Sequence, residues 1–413
     1  MAIKNRLTTI TLVVLIILVS LILRLNRLSN AVSTSQPSKL WEIQAIDTMK
    51  YSRDMAGQML ENPKFDDLIE KQVSLVAKTG ATHISIGTPY DERFLPIMHR
   101  WVKMARKYNL KVWFRGNLSG WEGWFDYPKI SRDEHLKGIK SFIISNGALF
   151  EDGDLFSSCP ECENGGPGDP RQTGDVVEYR KFLIDEAAAV RLAFKQIDKN
   201  IPANLNSMNG DIARLVMDQE TTAKLGGFVV IDHYVSSPEK LAADVREIAA
   251  LTGGKIILGE YGAPIPDLHG SMTEAEQSAW ITQSLQLLSA EKSLVGINYW
   301  TGFGGSTKLY NDDLSDRQAV ATLSSFFNPA QISGRVTTFL GLPVANATVD
   351  FGTRQTNTDA SGSFTLAKIG PAEKLTISHQ GFVTVSSVDS PGSTIHLDPK
   401  SPLAWLKLLL FGK

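Results

Sequence analysis

Residues 226–264 read GGFVVIDHYVSSPEKLAADVREIAALTGGKIILGEYGAP. Two short apolar runs, 226–232 and 255–260, flank a stretch at 237–252 whose apolar residues recur at helical spacing. Short apolar runs bounded by Gly or polar residues suit buried parallel strands, and a helix between them supplies the crossover. The same alternation extends in both directions. Strands are expected at 41–47, 82–87, 110–116, 153–158, 201–207, 226–232, 255–260 and 294–300. Helices are expected near 64–79, 93–109, 132–146, 175–197, 209–220, 237–252, 273–290 and 314–326. Eight such units across residues 41–328 predict an α/β fold, a (β/α)8 TIM barrel. An open doubly wound sheet would want a Gly-rich phosphate turn after the first strand, and AIDTMKYSRDMAGQ has none.

A barrel places its chemistry at the C-terminal ends of its strands. The polar residues expected there are Asp47, Thr88, Asp91, Arg115, Asn117, Glu161, Glu163, Asn206, Asn209, His233, Tyr234, Glu260, Asn298 and Trp300. Carboxylates, amides and aromatics without a histidine cluster point to a sugar site, with no metal and no cofactor. Glu260 closes an apolar strand between Gly259 and Tyr261. Gly259 and Gly262 remove bulk there, so something can approach closely. Glu161 follows strand four in a polar loop, with Glu163 its nearest competitor. Carboxylates facing each other from strands four and seven are what retaining glycoside hydrolysis needs. One attacks the anomeric carbon; the other protonates the leaving oxygen and then activates water, about 5–5.5 Å away. The acid needs a raised pKa and the nucleophile a lowered one. Trp121 and Trp124, in a loop after strand three, suit stacking on sugar rings. Arg115 is expected to bind substrate or to pair with Glu161 or Asp47. His83, His99, His135 and His269 read as structural.

Residues 41–327 resemble the clan A retaining glycoside hydrolases, the cellulase- and mannanase-like group. LGEYGAP resembles that group's strand-seven nucleophile motif, IDHYV its strand-six His-Tyr feature, and INYW its strand-eight segment. The resemblance implies Glu260 as nucleophile, Tyr234 as its support beside His233, Trp300 as the floor of a sugar subsite, and Glu161 as acid/base. One departure stands out. The clan usually carries Asn-Glu at the end of strand four, the Asn binding the sugar 2-hydroxyl, and this chain has Pro160-Glu161. Asn206, Asn117 or Asn164 could supply the missing donor. The departure keeps open a degenerate barrel that binds glycans without cleaving them.

Cys159 and Cys162 bracket Pro160-Glu161. A disulfide there suits an oxidising compartment and would restrict where Glu161 points; two free thiols are the alternative. They are the only cysteines of 413 residues, too few for a disulfide-built scaffold or a four-thiolate zinc site. A net charge of −2 gives no field to attract nucleic acid and favours a neutral glycan as partner.

Residues 7–23, LTTITLVVLIILVSLIL, are uncharged and apolar, close to the length that spans a bilayer. They read as an uncleaved signal anchor rather than a cleaved signal, with 29–40 a polar linker. This predicts a single-pass cell-membrane protein whose catalytic part is extracytoplasmic. Beyond Asn328-Pro329 the period changes to short alternating segments split by GLPV, DASG and HQG turns. Residues 331–398 therefore predict a small antiparallel β-sandwich. Ser333-Gly334-Arg335-Val336, Gly341-Leu342-Pro343-Val344 and Asp359-Ala360-Ser361-Gly362-Ser363-Phe364 resemble the carboxypeptidase regulatory-like domain, which implies a structural module without catalytic residues. The tail 399–413 is apolar but too short to span. The expected activity is hydrolysis of a β-linked oligo- or polysaccharide.

Overall fold

The computed structural model describes residues 39–401, except 119–124, 126, 166–167, 204, 353, 370–373 and 389–391. The expected anchor at 7–23, most of the linker, nearly all of the tail, and Trp121 and Trp124 lie outside the described residues. No helix among the described residues is long and apolar enough to cross a membrane. The described chain forms two compact units, Leu40–Asn328 and the segment from Pro329 onward.

The first unit is built on eight parallel strands: β1 (Ile43–Asp47), β2 (His83–Ile86), β3 (Lys111–Phe114), β4 (Leu155–Phe156), β5 (Ser207–Asn209), β6 (Phe228–Asp232), β7 (Lys255–Tyr261) and β8 (Leu294–Tyr299). Their order is β4-β3-β2-β1-β8-β7-β6-β5, so consecutive strands are neighbours and β8 returns beside β1. The ladder stops between β4 and β5. There the ends of the curled sheet are joined by other bonds: Glu161 N–H donates to Ser207 O at 2.7 Å, Cys159 N–H to Asn206 Oδ1 at 3.0 Å, and Ser157 Oγ to Leu205 O.

The stretch quoted first folds as its residues dictate. Ser237 caps the helix Pro238–Thr252 by accepting from Lys240 N–H, and Pro238 occupies the first turn. Gly253 ends it in the left-handed conformation at φ +66°. Inside the sheet, Ile43, Ala45, Trp113, Leu155, Leu205, Val230 and Ile257 form one buried apolar cluster drawn from opposite sides of the barrel. Removing these side chains from water is the main driving force for closure.

Two expectations need adjustment. The fifth strand is expected at 201–207 and is observed at 207–209. Pro202 has no N–H to give a ladder, and the Asn206 side chain takes the bonds a backbone pair would make. The helix expected at 209–220 is two, Gly210–Val216 and Gln219–Lys224, because Asp218 caps the second by accepting from Thr221 N–H.

The second unit contains two sheets. One has the order β11-β10-β13-β14, from Arg354–Asn357, Thr348–Phe351, Lys374–Ser378 and Val385–Val388. The other has the order β12-β9-β15, from Ser363–Lys368, Ala330–Thr337 and Ser393–His396. Residues of both, among them Ile332, Val336, Val349, Phe364, Leu375, Ile377 and Ile395, share one apolar cluster. The expectation of purely antiparallel pairing fails at one edge, where β15 runs parallel to β9. β14 and β15 belong to different sheets, and β15 enters beside β9 in the direction β9 already runs.

Candidate active site

The strand ends gather charge around Arg115, which follows β3 and is fully buried. Its Nη1 donates to Asp47 Oδ2 at 3.1 Å and Gly259 O at 2.9 Å, and lies 3.0 Å from Glu260 Oε1. Its Nη2 donates to Ser207 Oγ and Asp232 Oδ2, both at 3.0 Å. One guanidinium therefore faces three carboxylates from β1, β6 and β7. Asp47 is held further by Met49 N–H at 2.6 Å and Asn298 Nδ2 at 3.1 Å.

Glu260, 7% exposed, is the carboxylate of this cluster that also meets an aromatic wall. Tyr234 O–H donates to its Oε2 at 2.7 Å. The Tyr234 ring packs edge-on to Trp300, centroids 5.9 Å apart. Burial, then the neighbouring Asp232 carboxylate, push Glu260 above the ordinary carboxylate range, against the pull of Arg115. Asp232 is raised by burial in the same way, again opposed by Arg115. The direction for Glu260 is opposite to the lowered value expected of a nucleophile, because the group is buried and shares one cation with two other carboxylates. Tyr234 donates to Glu260 and Arg115 stands at ion-pair distance from it, and both favour its charged form. Removing that neighbour has a defined sign: Asp232→Asn should lower the Glu260 pKa and move the acid limb of kcat/KM to lower pH. A pH–rate profile with an unmoved acid limb would contradict the coupling.

Glu161 stands on the disulfide loop. Cys159 and Cys162 are bonded, with Cα atoms 5.2 Å apart. Glu161 has φ +47°, a left-handed conformation that disfavours a residue with a side chain. Its side chain is half-buried, and Oε2 accepts from Asn164 Nδ2 at 3.2 Å. Its charge acts on Arg115, Asp232 and Tyr234, which sets it at the same end of the barrel. Glu163 is more deeply buried: Oε1 accepts from Asn209 N–H at 2.7 Å, Oε2 has no hydrogen-bond partner, and burial raises its pKa.

Several residues expected to touch substrate are used inside the wall. Arg115 is buried beneath Glu260, and of its expected roles the structure shows the pairing with Asp47. Asn206 has both ends of its amide engaged, by Ser158, Cys159 N–H and Glu186. Asn117, 3% exposed, accepts from Leu118 N–H at 2.8 Å and its Oδ1 lies 3.3 Å from His135 Nε2. His233 turns to Asp244, Nε2 to Oδ2 2.8 Å, and its N–H donates to Glu260 O at 2.9 Å, so it steadies the ends of β6 and β7. The close approach anticipated at the glycines is also internal. A Cβ on Gly259 would stand 2.5 Å from Asp232 Oδ1, and one on Gly262 would stand 2.4 Å from Trp300 O.

No family model and no curated protein matches the chain. Solved structures that match include fungal beta-1,4-galactanases, at 12% identity and TM-score 0.47, over 69% of this chain and 99% of that one. A GH5_18 protein from Bifidobacterium longum subsp. longum in complex with Manb1-4GlcNAc matches at 11% and 0.49, over 73% and 84%. A b-glucuronidase from Ruminococcus gnavus in complex with D-glucuronic acid matches at 11% and 0.45, over 63% and 45%. The chain spans about half the length of the glucuronidase structures it matches. What those proteins bind is a property of those proteins; the chemistry proposed below stands on the residues of this chain.

The sequence reading omitted Asp232 and Glu186. Asp232 carried the signal that exposed Glu260, a carboxylate closing the apolar run FVVID. Glu186 carried a different one: on the helix Val176–Gln196 it sits at the spacing of Tyr179, Leu183 and Val190, all buried.

Proposed function

We propose that the chain is a retaining glycoside hydrolase acting on β-linked glycans, anchored to the membrane by residues 7–23 with its barrel outside the cytoplasm. The observation that carries the reading is Glu260: a carboxylate at a barrel strand end, gripped by Tyr234 and Arg115, beside a partly exposed Trp300 and within electrostatic influence of Glu161's neighbours. In the first step Glu260 attacks the anomeric carbon while Glu161 gives its proton to the leaving oxygen. The glycosidic bond breaks and a glycosyl ester to Glu260 forms. In the second, Glu161 takes a proton from water, whose oxygen displaces Glu260, restoring both carboxyl groups. Trp300 would stack against the sugar. The segment from Pro329 onward is proposed as a β-sandwich of the carboxypeptidase regulatory-like kind, holding or presenting the barrel.

A panel of β-linked oligosaccharides, with the anomer of the product followed by NMR, tests the reading. Release of the β-anomer is expected. Initial release of the α-anomer contradicts double displacement. Glycan binding by the wild-type protein without cleavage favours the second reading, a binding or scaffold protein, which the absent Asn before Glu161 makes specific.

A further inference from the structure

The helix Val176–Gln196 buries a carboxylate on its packing face. Glu186 is fully buried, on a surface otherwise made of Tyr179, Phe182, Leu183 and Val190. Such a group persists only where polar partners replace its water. Its Oε2 accepts from Asn206 Nδ2 at 3.2 Å, and its Oε1 lies 2.7 Å from Nδ1 of the fully buried His135. Both contacts lead to one place. Asn206 Oδ1 accepts from Cys159 N–H at 3.0 Å and Ser158 Oγ at 3.1 Å. His135 Nε2 lies 3.3 Å from Asn117 Oδ1, and Asn117 Nδ2 reaches Cys159 Sγ at 4.0 Å. Cys159 is two residues before Glu161 and is bonded to the residue after it.

We infer that Glu186 is a positioning residue for Glu161, acting through Asn206 and the disulfide loop; this rests on Glu161 being the acid/base. The physical basis is the asymmetry of the amide. A carboxylate only accepts, so it compels Asn206 to present its NH2 to the helix and its oxygen to the loop N–H. A carboxamide at position 186 accepts or donates, and Asn206 loses its reason to face one way. The Cys159 N–H then loses its acceptor in part of the population, and the loop carrying Glu161 is no longer fixed. General acid catalysis depends on that geometry.

The test compares Glu186→Gln with Glu161→Gln on two aryl glycosides of whichever sugar the wild-type enzyme cleaves. A 2,4-dinitrophenyl leaving group departs without a proton; an unsubstituted phenyl group needs one. The ratio kcat/KM reports the bond-breaking step. For Glu186→Gln, kcat/KM is expected to fall roughly 10–100-fold on the phenyl glycoside and to change less than about threefold on the dinitrophenyl one. Glu186→Asp, which keeps an acceptor, should recover part of the loss, and serves as the readout if Glu186→Gln does not fold. Equal losses on both substrates mean a structural role only and overturn the inference. If Glu161→Gln itself shows no dependence on the leaving group, the acid assignment fails and the positioning role fails with it. Leaving-group dependence in Glu161→Gln but not in Glu186→Gln removes the positioning role alone.

Discussion

Glu260→Ala should lower kcat/KM by roughly 10⁴-fold, or about 5.5 kcal/mol of transition-state stabilisation, and leave the protein folded. The loss follows from the proposed role, since the variant lacks the atom that would bond the anomeric carbon. The folding side follows from charge. Glu260, Asp232 and Asp47 compete for Arg115 in a space that keeps water out. Deleting one carboxylate relieves repulsion and leaves the guanidinium paired twice, so the melting temperature should hold or rise. An enzyme that loses activity while keeping or gaining stability shows the trade expected of a crowded active site. Added azide should take the place of the missing carboxylate and give a glycosyl azide of opposite anomeric configuration. Activity within tenfold of wild type would end the nucleophile assignment.

Arg115→Met should have the larger effect on folding. Methionine fills much of the same space, but it leaves three carboxylates buried with no cation among them. Removing one partner of a buried ion pair costs about 3–5 kcal/mol, a large share of the roughly 5–15 kcal/mol that holds a typical domain together. The variant should melt well below wild type. Its pH dependence has a fixed sign. Without the guanidinium the folded-state pKa values of Glu260 and Asp232 rise further, while the unfolded values stay put. The folded state then binds protons more tightly than the unfolded one, so stability is greatest at low pH and declines as pH rises through the folded pKa values. Thermal melts of Arg115→Met at pH 5 and pH 8 should show the lower value at pH 8. A variant with wild-type melting at both would mean that Arg115 is not the counter-ion of this cluster.

Much of the barrel was legible in the sequence because its signals are local. Ser237, Pro238 and Gly253 bound a helix whatever lies around it, and an apolar run such as VVI is buried wherever it falls. Glu260 was legible for the same reason: a charge has little cause to close such a run. What stayed hidden depends on neighbours distant in sequence. Arg115 is followed by Gly116 and Asn117 in what looks like an exposed loop; pairing with Asp47 was one of its expected roles, but nothing nearby shows that β5, β6 and β7 converge on it as well. Asn206 and Asn117 looked like free donors because an amide's partners come from other strands. Leu205 is apolar and buried yet precedes the fifth strand's ladder, which begins at Ser207, so burial there does not mark the paired residues.

The seam between β4 and β5 has a consequence for how this site can change over generations. β4 gives the ladder only two residues, and the loop after it is fastened by side chains and a few single bonds rather than by a continuous run of paired strands. A segment attached in this way is close to an interchangeable part. It can be exchanged, lengthened or rewritten while the remaining staves keep their register. Glu260 has no such licence, because its strand is paired on both sides. Among descendants of a common ancestor, divergence should gather around Glu161 and spare Glu260.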